Sequence, residues 1–279
     1  MDIMGINFTK MHGLGNDFVI IDALGENFYL DRGLVCKISD RKKGVGCDQV
    51  LLLRNSDVAD AEMVVFNSDG TISEACGNGA RCVAKYLANK ESKFEINLLS
   101  GNRILHCDIQ NRGFVTICMG NPEYKWDKIP IAEPVDPLNL DLHFEDNLGN
   151  IIFNPIALNI GNPHVVFLVD DPYKIDLEQI GPIIENHALF PKKVNVNLAS
   201  VLSRSSLKLR VWERGAGITL ACGTGACASV IAANYRKHCD KNVEVTLPGG
   251  KLNISIDDNE KIFMTGPAEY SFSGNLFND

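Results

Sequence analysis

A six-residue motif occurs twice in this chain. Ala75-Cys76-Gly77-Asn78-Gly79-Ala80 returns as Ala221-Cys222-Gly223-Thr224-Gly225-Ala226, with the two cysteines 146 residues apart. The same interval recurs elsewhere. Gly15-Asn16 precedes the run Phe18 to Asp22, and Gly161-Asn162 precedes His164 to Asp170. Gln49 falls opposite Asn195, Asn67 opposite Glu213, and Gly120 opposite Gly266. One short match can arise by chance; a register kept at polar positions over more than 100 residues cannot. The spacing makes the chain an internal duplication, two copies of one fold that each need a core.

Length agrees, because 279 residues exceed the usual size of one domain. The expected N-terminal half covers 1–122 and the C-terminal half 123–267. The tail 268–279 has no repeat partner and is expected to join the first half. Four prolines (Pro122, Pro130, Pro134 and Pro137) make Asn121 to Leu140 read as an extended connection. Strand signals dominate each copy. Val50–Leu53, Val64–Phe66 and Val165–Val169 are short apolar runs, whereas Lys208–Trp212 and Val243–Leu247 alternate like half-buried strands. Two Ala-rich helices, Ala80–Lys90 and Ala226–His238, each begin just after a Cys-Gly-x-Gly turn, and their small residues suit a helix wrapped by sheet. The expected class is therefore α+β: two halves, each a curved, barrel-like β-sheet around one central α-helix.

Charge and hydropathy exclude several functions. A net charge of −8 speaks against nucleic acid or an anionic membrane as partner. No run of 18 apolar residues is available to span a bilayer. Met1 to Gly13 lacks the pattern of a secretory signal. Nine cysteines, an odd number without dense spacing, read as reduced thiols in a cytoplasmic setting.

The paired turns carry the chemistry. A helix N-terminus presents unpaired N–H groups and a partial positive charge, so it cradles a carboxylate and lowers a thiol pKa. Each motif thus combines an anion site with a candidate thiolate base. One thiolate can remove a proton beside a carboxylate while the second thiol delivers a proton to the opposite face, inverting the carbon. Zinc is disfavoured, because Cys76/Cys82 and Cys222/Cys227 miss the tight spacing of structural sites. Cys36, Cys47, Cys107, Cys118 and Cys239 read as buried structural thiols. Cys82 and Cys227 read as core residues, and His12 and His106 as structural or surface histidines.

These residues resemble the diaminopimelate epimerase family. The resemblance includes Lys10-Met11-His12-Gly13-Leu14-Gly15-Asn16-Asp17-Phe18, Gly46-Cys47-Asp48-Gln49, Asn67-Ser68-Asp69-Gly70 and Cys76 to Cys82. It continues through Gly161-Asn162-Pro163-His164, Glu213 to Gly217, Ala221 to Cys227 and Met264 to Ala268. It implies a cofactor-independent, metal-independent isomerase that interconverts LL- and meso-2,6-diaminopimelate for lysine and peptidoglycan synthesis. It also implies two pseudo-symmetric domains with the active site in the cleft between them, and a homodimer. By position, Cys76 and Cys222 would be the acid/base pair, supported by His164 and Glu213. Gly77, Asn78, Gly223 and Thr224 would hold the reacting carboxylate. Asn16, Gln49, Asn67, Asn162, Asn195, Glu213 and Arg214 would bind the remaining polar groups. Two positions depart from the family: Asn97–Gly101 lacks an expected threonine, and Phe272 stands where tyrosine is common. The rival readings are a proline racemase or hydroxyproline epimerase, a relaxed-specificity racemase, and a redox-switch dithiol. Asn78 after Cys76-Gly77 argues against the proline type, which resembles Cys-Gly-His there; the phenazine-pathway branch lacks the first cysteine.

Overall fold

The computed structural model describes residues 5–26, 28–73, 76–110 and 113–277, so Ala75 of the first motif lies outside it. The chain forms two compact units, 1–117 with 266–279, and 118–265.

The first unit contains β1 (Ile6–Gly13), β2 (Asn16–Asp22), α1 (Arg32–Ser39), β3 (Gln49–Arg54), β4 (Ala61–Asn67), β5 (Ile72–Ser73), α2 (Gly77–Glu91), β6 (Glu95–Ser100) and β7 (Arg103–Ile109). It also takes the start of β8 (Phe114–Gly120) and the last strand, β19 (Glu269–Leu276). β19 pairs with β1, so the tail returns to the first unit. From there β1/β2 is antiparallel, β2/β3 parallel, β3/β4 antiparallel, β4/β6 parallel and β6/β7/β8 antiparallel.

The second unit contains β9 (His143–Glu145), β10 (Ile151–Phe153), β11 (Ile156–Asn159), β12 (Pro163–Leu168), α3 (Leu177–Glu185), β13 (Asn195–Ser203), β14 (Ser206–Glu213) and β15 (Gly217–Ile218). α4 (Gly223–Tyr235), β16 (Asn242–Leu247), β17 (Gly250–Ile256) and β18 (Ile262–Pro267) follow. From β11 to β18 the pairing repeats the parallel and antiparallel sequence of β1 to β8. The register is also the same. Phe18 lies opposite Gln49 across β2/β3, and His164 opposite Asn195 across β12/β13, both members displaced by 146.

That displacement holds only as far as the helices. β6 pairs Glu95 with Asp108, and β16 pairs Asn242 with Ser255, so the offset there is 147. By this register Gly120 sits one position out of step with Gly266. The extra length lies in the helix exit, where the left-handed residue is Ser92 in one unit and Lys237 in the other, an offset of 145.

Each sheet curves around its helix. α4 buries eleven of its 13 residues, Gly223 to Ala233, and so is enclosed on every side, as a central helix must be. α2 buries Ala80, Cys82, Val83, Ala84, Leu87 and Ala88, with its C-terminal turn in solvent. The proline-rich segment is not an open connection. Ile129, Ile131 and Leu140 enter the second unit's core with Leu177, Ile180 and Ile184 of α3. α3 carries Pro182 in its interior, which costs about 3 kcal/mol. Burial of three large aliphatic side chains, at roughly 1.5–3 kcal/mol each, outweighs that cost.

Candidate active site

In the first unit Cys76 is the N-cap of α2. Its backbone is extended, and its Sγ accepts a hydrogen bond from the Gly79 N–H at 3.3 Å. Gly79 keeps this turn close: a Cβ would lie 3.2 Å from the sulfur and 3.1 Å from Leu51, tighter than an ordinary contact. The thiol therefore rests on the first helical turn, half-buried, in the field of the helix N-terminus. Gly77 opens the helix, and Asn78 follows it, buried. The Asn78 amide donates to Asn16 Oδ1 at 3.3 Å and accepts from Arg81 at 2.8 Å. Asn16 in turn donates to Asp48 at 2.9 Å. Gln49 and Asn67 face each other across β3/β4, with Gln49 Nε2 donating to Asn67 Oδ1 at 3.0 Å and Asn67 Nδ2 to Thr71 at 3.0 Å.

In the second unit Cys222 is the N-cap of α4 and is buried. Burial pushes its thiol well above the ordinary value, and the neighbouring Glu213 carboxylate, which accepts its hydrogen, pushes further. Thr224 Oγ1, 3.5 Å from Sγ, and the Gly225 N–H pull the other way. Glu213 is steadied by the Thr219 hydroxyl at 2.5 Å. The two cysteines thus occupy the same backbone position in unlike surroundings. Asn67 stands where Glu213 does, and Asn78 where Thr224 does.

His164 is fully buried on β12, and burial lowers its pKa to about 3, so the ring is neutral. Its Nε2 is 2.9 Å from Asn162 Oδ1, and its Nδ1 is 3.1 Å from Asn197 Nδ2. Asn195 is also buried, and its amide is engaged with backbone: Nδ2 donates to Pro163 O at 2.7 Å and Oδ1 accepts from the Arg214 N–H at 2.9 Å. It holds the turn that carries Glu213 and Arg214. The Arg214 guanidinium, half-buried, donates to Lys192 O at 3.3 Å.

Sequence reasoning passed over several supports. Glu185, at the end of α3, accepts from Trp212 Nε1 at 2.7 Å and from the Gly215 N–H at 3.0 Å, anchoring the same turn. Asp48 orients Asn16, Arg81 orients Asn78, and Asn197 contacts His164. Arg81 and Asp48 lie inside quoted motifs, so their position was a signal; Glu185 gave none. Of the remaining cysteines, Cys82 and Cys227 are buried in their helices, and burial pushes Cys82 up to about 12. Cys47, Cys107 and Cys239 are buried, whereas Cys36 and Cys118 are half-buried. His106 is exposed against Asn97, and His12 lies 3.8 Å from Glu269. Among the described residues, no three His, Cys, Asp or Glu side chains are grouped to hold a metal, and no helix is long and apolar enough to cross a membrane.

The fold is shared with solved epimerases and phenazine biosynthesis proteins. A hydroxyproline epimerase from Agrobacterium vitis superposes with a TM-score of 0.69 at 14% identity, covering 99% of this chain and 93% of its own. A Bacillus anthracis phenazine biosynthesis protein of the PhzF family gives 0.67 at 18% identity, covering 98% and 99%. Sequence narrows the class. The profile of diaminopimelate epimerase matches residues 8–125 and 156–271. The Pelagibacter ubique (strain HTCC1062) diaminopimelate epimerase is 46% identical over 95% of this chain and 96% of its own. The Carboxydothermus hydrogenoformans enzyme of that name is 43% identical over 98% and 100%. The chain belongs to the diaminopimelate epimerase family.

Proposed function

We propose that the protein is a cofactor-independent epimerase of 2,6-diaminopimelate, with Cys76 and Cys222 as its two acid/base groups. The observation that carries this reading is the repeated placement of a cysteine as the N-cap of a buried helix, in a chain of this family. In the forward step the thiolate of Cys76 takes the α-proton, and the C–H electron pair passes into the adjacent carboxylate as an enediolate-like charge. The first-turn N–H groups after Gly77 and Gly223 stabilise that charge. The Cys222 thiol gives its proton to the opposite face, which inverts the carbon and leaves Cys222 as thiolate and Cys76 as thiol. Burial and Glu213 favour Cys222 as the resting proton donor. Asn78 and Thr224 hold the reacting carboxylate, with Asn16, Gln49, Asn67, Asn162, Asn195 and Arg214 for the other polar groups of the substrate.

The exposed Tyr270 and Phe272 on β19 support a dimer, and the biosynthetic role of the family supports work in the cytoplasm. Incubation with LL-diaminopimelate in D₂O under reducing conditions tests the reaction. Deuterium is expected at one α-carbon of the meso product without added cofactor, and absence of exchange overturns the reading. Cys76→Ala and Cys222→Ala are each expected to abolish epimerisation; full activity in either removes the two-base assignment.

A further inference from the structure

The duplication supplies its own control. In the first unit Phe18 and Leu51 are fully buried, and the Leu51 methyl groups lie against Gly79, 3.1 and 3.3 Å from where its Cβ would stand. The residues 146 positions on are His164 and Asn197, also fully buried, and Asn197 Oδ1 lies 2.5 Å from where a Gly225 Cβ would stand. One copy of the fold fills this place with hydrocarbon. The other fills it with two polar side chains whose burial costs free energy unless their hydrogen bonds are made.

Those bonds fix the chemistry of the ring. Asn197 Nδ2 faces the Val165 carbonyl at 3.0 Å and the Asn195 carbonyl at 3.4 Å, as well as His164 Nδ1 at 3.1 Å. Two of these neighbours are carbonyl oxygens, so only the NH₂ side of the amide can face them, and the His164 Nδ1 must accept. A neutral imidazole that accepts at Nδ1 carries its proton on Nε2. That proton points at Asn162 Oδ1, 2.9 Å away. The Asn162 amide is then pinned by its oxygen, with its NH₂ left to donate. Asn197 Oδ1 accepts no hydrogen bond among the described residues, so the side chain is held there by its donors alone.

We propose that Asn197 is a positioning residue: it holds His164 as the Nε2–H tautomer, and His164 fixes the amide of Asn162 as a donor to the substrate. The proposal rests on the epimerase reading above for the role of Asn162. No equivalent relay exists at Phe18 and Leu51, so the second copy alone carries this asymmetry. Asn16, the counterpart of Asn162, is oriented by Asp48 and Asn78 instead.

The test uses Asn197→Leu, the residue of the first copy at this place, with His164→Phe and the double variant. Long-range ¹H–¹⁵N spectra of the imidazole, recorded without substrate, report the tautomer. The wild type is expected to show Nε2–H alone, and Asn197→Leu a shift toward Nδ1–H, because the Val165 and Asn195 carbonyls then become acceptors for the ring. The kcat/KM of Asn197→Leu is expected to fall by about tenfold, the scale of one lost hydrogen bond. The double variant is expected to lose no more than His164→Phe alone, since Asn197 acts through His164. An unchanged tautomer overturns the proposal, as does a shifted tautomer with unchanged kcat/KM, or losses that multiply in the double variant. If Asn197→Leu does not fold, His164→Phe against the double variant decides, because that pair reproduces the apolar packing of the first copy. Failure of the epimerase reading is separable: the wild type would then show no turnover.

Discussion

Replacing Glu213 by Gln isolates the charge that sets Cys222 apart. In the native protein the Cys222 thiol is raised first by burial and then by the adjacent carboxylate, which also accepts its hydrogen. Two unit charges about 4 Å apart interact by about 4 kcal/mol at an effective dielectric of about 20. Glu213 is half-buried, so solvent screens part of this, and a downward shift of the Cys222 titration midpoint is the expected effect. Burial remains in the variant, so the thiol still titrates above an ordinary cysteine. The assay is a difference titration of thiolate ultraviolet absorbance, Glu213→Gln against Glu213→Gln/Cys222→Ser. A midpoint equal to that of native Cys222 refutes the electrostatic argument; a midpoint at the ordinary thiol value shows that burial contributes nothing.

Two further outcomes follow from the second unit. The Glu185 carboxyl is opposed by burial but held below its usual range by Trp212, the Gly215 N–H and Lys193. Its stabilisation is therefore complete above the unfolded value near about 4.3 and is lost as pH falls through its lower folded value. Glu185→Gln is expected to flatten that acid limb in urea midpoints measured across this range; an unchanged limb would show the network contributes nothing. Gly225→Ala places a methyl 2.5 Å from Asn197 Oδ1 and should cost about 1–3 kcal/mol by urea unfolding. A cost near zero would mean that the buried amide moves aside freely.

The duplication was legible because polar residues at a sheet end tolerate little drift, so Gln49/Asn195 and Asn67/Glu213 kept their interval. The later slip to 147 was not, because loop length is cheap to change and leaves no compositional trace. α3 was hidden by Gly181 and Pro182, which read as a break until the core that repays them is known. α1 is short, and only its Asp31 cap, which accepts from the Leu34 N–H at 2.8 Å, marks its start. Asn195 was legible through its repeat partner Gln49, but that its amide also ties Pro163 to Arg214 was not, because those contacts are to backbone. Asn197 escaped for the opposite reason: its partner is Leu51, and a polar–apolar mismatch in a repeat is easily passed over.

The pairing of β1 with β19 bears on how the protein is made. Ile6 lies opposite Leu276, so the first sheet lacks this strand until residue 276 has been synthesised. Every strand from β11 to β18 is translated before β19. The second unit can thus complete its core on the ribosome while β1 still presents an open edge. The order of maturation runs against the usual N-terminal-first course of synthesis. The span from β1 to β19 makes this closure the longest-range contact in the first unit, and by the same logic a late one.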